Sequence, residues 1–80
     1  MRKRVINGTA LRTIRELKAK EDRSFLSGNF APTCLMSQAH LINIEKGRRF
    51  PPEDVIVRIA SRLDVPVDAI SYVLPQEAAA

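Results

Sequence analysis

The chain has 80 residues, 45% of them hydrophobic and 28% charged, and a formal net charge of +4. That length supports one small domain with one modest core. Cys34 is the only cysteine and His40 the only histidine, which excludes an intrachain disulfide and leaves too few nitrogen and sulfur ligands for a zinc site.

The charge is placed unevenly. Residues 1–50 hold 11 Lys and Arg against 4 acids, a balance of +7, whereas residues 51–80 hold 2 against 5, a balance of −3. One half is thus suited to meet a polyanion, of which nucleic acid is the commonest. An ordinary solvated basic face is the alternative. No apolar run approaches the roughly 20 residues that span a bilayer, and the start, MRKRVINGTALRTIREL, lacks the apolar centre of a secretory signal. The expectation is a soluble cytoplasmic protein with no membrane partner.

In chain order, residues 1–8 read as a basic N-terminal arm. Its Arg2, Lys3 and Arg4 are suited either to touching phosphate and entering a minor groove or to a disordered, solubilising start. LRTIRELKAK sets Leu11, Ile14 and Leu17 at helical spacing, with Thr9 or Asn7 as the cap, and predicts a first helix over about 10–20. KEDRSFLSGNFAPTC is interrupted by Gly28 and Pro32, and a second helix is placed at about 27–33, with a start near Asp22 as the other reading. Ser37 is a good N-cap, QAHLINIEK has helical composition, and Gly47 supplies the stop of a third helix. After the RRFPP loop, EDVIVRIASRL puts Val55, Ile56, Ile59, Ala60 and Leu63 on one stripe of a fourth helix, with Glu53 and Asp54 near its positive end. Asp64-Val65-Pro66 breaks it. VDAISYVL is expected to form a short fifth helix ending before Pro75, and 75–80 to be a disordered tail. The predicted class is all-α, with the folded domain spanning 9–74.

The third helix carries the most chemistry. Leu41 and Ile44 fall on one side of it, while Ala39, Ile42, Asn43 and Lys46 lie across the axis, with Gln38 on their flank. The major groove of B-DNA admits one helix, and the amides of Gln and Asn match the N6 donor and N7 acceptor of adenine. Gln38 and Asn43 suit that task. Ala39 permits close approach, and Ile42 suits a thymine methyl. Arg48 and Arg49, beyond Gly47, are placed to hold phosphates.

Ser37 through Arg49, SQAHLINIEKGRR, resembles the recognition helix and following loop of the Cro/repressor (XRE-like) helix-turn-helix family, whose pattern there is Ser-x-x-x-Ile-x-x-Ile-Glu-x-Gly. PPEDVIVRIASRLDVPVDAI is similar to that family's fourth and fifth helices. With LRTIREL as the first, the resemblance covers about 10–72. It implies a compact five-helix bundle of the lambda-repressor-like type, in which helices 2 and 3 form the helix-turn-helix. It also implies base reading by Gln38, Ala39 and Asn43, with His40 beside them able to reach a phosphate or base edge. Ile42 joins the expected base-reading set, and Ser37, Lys46, Arg48, Arg49, Ser27 and Asn29 are expected, like His40, to make backbone or mixed contacts. Glu45 matches an acid that in related repressors pairs with an arginine of helix 1, here Arg15. Leu35 stands where the family keeps the Gly of the turn, which predicts a different turn with Leu35 packed beneath helix 3. The link between helices 1 and 2 is also about five residues longer than usual.

The resemblance implies a sequence-specific regulator of the Cro type that binds a double-stranded, roughly palindromic operator. No enzymatic activity, cofactor, metal or small-molecule ligand is expected, since Cys34 and His40 lack the third group of a nucleophilic site. Val65, Val67, Ile70, Tyr72, Val73 and Leu74 exceed what one small core needs, so a homodimer is expected, in solution or only on DNA. Two other readings compete with this one. The first is an antitoxin-like module whose C-terminal segment binds a partner protein while DNA binding autoregulates; the second is nonspecific binding to DNA or RNA.

Overall fold

The first and last described segments meet in a small antiparallel ribbon, and four helices lie between them in the described residues. The computed structural model describes residues 3–74. In order, they form β1 (Lys3–Ile6), α1 (Gly8–Ala19), a 3₁₀ turn (Arg23–Phe25), α2 (Ser27–Thr33), α3 (Gln38–Glu45), α4 (Glu53–Leu63), a second 3₁₀ turn (Val67–Ala69) and β2 (Ser71–Leu74).

The expected all-α five-helix bundle is therefore corrected. The segment read as a fifth helix is one 3₁₀ turn followed by a strand, and Lys3 and Arg4, read as part of a free arm, lie in the strand it pairs with. The register runs Lys3 with Leu74, Arg4 with Val73, Val5 with Tyr72 and Ile6 with Ser71. Physical reasons are local. A helix of eight residues is marginal by itself, whereas Tyr72 and Val73 favour extended backbone, and opposite residues share a face, so Ile6 and Ser71 are buried together. Arg4 fixes the ribbon: its Nη1 donates to Asp68 Oδ1 at 2.7 Å and to Ser71 Oγ at 3.0 Å, and its Nε lies 3.5 Å from Glu53. Arg2 and the 75–80 tail lie outside the described residues.

The helices form where period and caps agree. Asn7 Oδ1 accepts the Ala10 N–H at 3.1 Å and starts α1, and Ser37 Oγ accepts the His40 N–H at 3.1 Å and starts α3. The apolar stripe of α1 is narrower than Leu11, Ile14 and Leu17, because Leu17 is 56% exposed and the next inward position is taken by buried Arg15. Gly8 sits against the carbonyls of Ile44 and Glu45, where a Cβ would collide. That close approach brings the start of α1 onto the end of α3.

Leu11, Phe30, Leu41, Ile44, Ile56, Ile59, Leu63 and Ile70 form the fully enclosed centre, each contributing roughly 1.5–3 kcal/mol of transfer free energy. The longer link after α1 folds back onto this layer. Asp22 caps its turn by accepting the Ser24 N–H, Phe25 stacks on Phe30 at 5.9 Å, and Lys18 lies over the Phe25 ring.

α2, α3 and α4 end in one common geometry. The residues following them adopt positive φ, 62° at Leu35, 79° at Gly47 and 61° at Asp64. The next N–H then reaches back into the helix, from Met36 to Ala31, Arg48 to Asn43 and Val65 to Ala60, at 3.2, 2.9 and 3.1 Å. Glycine adopts this conformation freely and Asp tolerates it, but leucine does so at a cost of about 1–2 kcal/mol. The expectation that Leu35 forces a different turn and packs beneath α3 is thus overturned. The turn takes the left-handed form that a glycine there would give, and the Leu35 side chain is 77% exposed.

Candidate nucleic-acid interface

α3 is seated by Leu41, Ile44 and Glu45, all buried. Glu45 is paired with Arg15 in a two-pronged contact, Nε to Oε2 at 2.6 Å and Nη2 to Oε1 at 3.0 Å, while Arg15 Nη1 donates to the Phe25 carbonyl at 2.9 Å. The side chains are 6% and 3% exposed. One ion pair thus ties α1, the 3₁₀ turn and α3 together, and it sets the rotation of α3 about its axis.

That rotation leaves Gln38, Ala39 and His40 exposed, Ile42 and Asn43 half-buried, and Lys46 exposed at the end. Gln38 is held by α2, since its Nε2 donates to Ser27 Oγ at 2.8 Å. Its second N–H and its Oε1 remain for the donor and acceptor of an adenine edge. Ile42 lies along a cleft shared with Arg12, Glu16 and Lys46 on the α1 side. His40 faces the other way, toward Arg48 and Arg49. Ser37 Oγ accepts the His40 N–H and keeps its hydroxyl proton for an outside oxygen. Asn29 donates its amide to the Arg23 carbonyl at 2.9 Å, so its nitrogen serves the link and its Oδ1 is left outward.

Of the residues read as an arm, Lys3 and Arg4 are placed differently. Lys3 is exposed on the outer face of the ribbon, and Arg4 is held between two carboxylates. A guanidinium so held, on a backbone fixed in a ladder, is not part of a free arm. Arg12 and Lys20, which line the clefts beside Gln38 and Ile42, were not among the residues singled out from the sequence. Their signal in the sequence is the basic side chains interleaved with the apolar positions of LRTIRELKAK.

Among the described residues, no three His, Cys, Asp or Glu side chains come together as metal ligands, and no helix is long and apolar enough to cross a membrane. Burial pushes the Cys34 thiol above its ordinary range, the opposite of what a nucleophile needs. No family model, curated protein or solved structure matches the chain.

Proposed function

We propose that the protein is a sequence-specific double-stranded DNA-binding regulator of the Cro/repressor helix-turn-helix kind, with α3 as the element that enters the major groove. The observation that carries this reading is the exposed amide of Gln38, pinned to Ser27 and flanked by Ala39 and Asn43, on a helix whose rotation is fixed by a buried ion pair. α3 spans eight residues, about 12 Å of axis at 1.5 Å per residue, and the groove is about 12 Å wide. Gln38, Ala39, Ile42 and Asn43 face base edges in this reading. Ser37, Ser27, His40, Lys46, Arg48 and Arg49 hold phosphates, and Arg12 and Lys20 extend the basic rim. A net charge of +7 over residues 1–50 supplies the attraction.

A homodimer on a roughly palindromic site completes the proposal. Ile70 is enclosed in the core and Val65 and Val67 pack against it, which leaves Tyr72, Val73 and Leu74 exposed at 49%, 37% and 44% on β2. An edge strand carrying apolar side chains is a ready surface for a second copy.

The test separates reading from gripping. On a cognate duplex, Gln38→Ala or Asn43→Ala should weaken binding by about 1–3 kcal/mol with little change on random DNA, whereas Arg48→Ala weakens both and lowers the salt dependence. Equal losses on cognate and random duplexes for the amide variants would leave only an electrostatic surface.

A further inference from the structure

Beside the α3 face lies a groove whose apolar walls DNA reading does not use. The turn after α2 and the loop between α3 and α4 enclose a groove of about 570 Å³, walled by Leu35, Met36, Phe50 and Val55. Leu35 is 77% and Phe50 68% exposed, the two most exposed large hydrophobic side chains among the described residues. Leu35 is also the residue held at φ 62°. A leucine kept in a left-handed conformation with its side chain in solvent gains nothing for the monomer, and strain of that kind points to a use of the side chain elsewhere.

The rim says what fits. Arg48, Arg49 and Arg58 line the groove together with His40, and no carboxylate lines it among the described residues. A second copy meeting this patch about a twofold axis would set arginines against arginines, which like-charge repulsion opposes. We propose that the groove docks an acidic, apolar segment of a partner protein, whose leucine-like or aromatic side chains enter between Leu35 and Phe50 while its carboxylates meet Arg48, Arg49 and Arg58. Arg48, Arg49 and His40 also belong to the DNA surface proposed above, and on that reading the docked segment and the duplex exclude one another. The partner's concentration would then set the free fraction of the regulator.

The probe is a short fluorescein-labelled peptide of alternating Asp with Leu or Phe, titrated with the full chain and followed by anisotropy. Two counterparts carry Lys for each Asp, or Ser for each Leu and Phe. Only the acidic apolar peptide should bind. The double variant Leu35→Gly/Phe50→Ser should weaken it at least about tenfold, as loss of anchor side chains does, and Arg58→Gln should weaken it as well. Relief of strain at position 35 keeps the double variant folded, which a circular dichroism melt verifies, and its duplex binding should be unchanged. Adding random duplex should displace the peptide.

No binding, equal binding of all three peptides, or full binding by the double variant overturns the proposal. So does sedimentation showing a wild-type dimer that the double variant makes monomeric, which would give the groove to a second copy. A duplex that binds without displacing the peptide overturns the exclusion. If the peptide binds and no duplex does, the docking site stands and the DNA reading fails.

Discussion

Replacing Glu45 by Gln keeps the shape of the side chain and removes its charge, leaving the Arg15 guanidinium 6% exposed with no counter-charge, only the Phe25 carbonyl and one amide oxygen as acceptors. Breaking a buried pair from one side costs about 3–5 kcal/mol, because the remaining charge stays desolvated. A domain of this size has about 5–15 kcal/mol in total, so Glu45→Gln should remove a large share of it. The chain carries its own control in Arg12 and Glu16, paired at 3.1 Å with both side chains more than half exposed. Glu16→Gln should cost under about 0.5 kcal/mol, as exposed helix pairs do. Urea unfolding followed by circular dichroism measures both, with the midpoint moving at constant slope. Replacing the pair together, Arg15→Met with Glu45→Leu, removes both desolvated charges and should recover most of the loss. A Glu45→Gln midpoint equal to that of Glu16→Gln would refute the reasoning, since the pair would then have no role in seating α3.

Two further outcomes follow from single residues. Leu35→Gly should stabilise the fold by about 0.5–1 kcal/mol, the strain of about 1–2 kcal/mol less the added freedom of glycine in the unfolded chain. That corresponds to a rise of a few degrees in Tm at about 4–8 °C per kcal/mol. Leu35→Ala keeps the positive φ and should gain nothing, so equal Tm values for the two variants would contradict the strain assignment. Cys34, fully enclosed and with its thiol pushed up by burial, should react with a thiol reagent at neutral pH far more slowly in the native protein than in urea. Equal rates would show that the site opens readily.

Legibility in the sequence followed the range of the forces involved. The helices could be read because a 3.6-residue period and the caps at Ser37 and Gly47 act over a few neighbours. The strands could not, because Lys3 and Leu74 lie at opposite ends of the chain and each four-residue run is ambiguous alone. Tyr72 and Val73 acquire a strand's backbone only when Val5 and Arg4 are beside them. Spacing alone did not reveal the partner of Glu45, since Arg15 sits on a helix whose charged face looks uniformly solvated; only the family resemblance singled it out. At Leu35, residue identity pointed the wrong way, because the hydrogen bonds of the turn and the packing of Met36 determine φ there, and leucine's own preference does not. In the candidate interface, Gln38 could be named from helical phase, but the Ser27 hydroxyl that orients it depends on where α2 stops and turns.

The most direct test of the central proposal is selection of bound sequences from a random duplex pool by the wild-type protein and by Gln38→Ala. The expected result is a short enriched motif containing adenine, repeated in inverted orientation about one helical turn apart, with the adenine preference lost in the variant. A pool that remains unenriched while its duplexes still bind in a salt-dependent way would contradict base reading by α3 and leave only a basic surface.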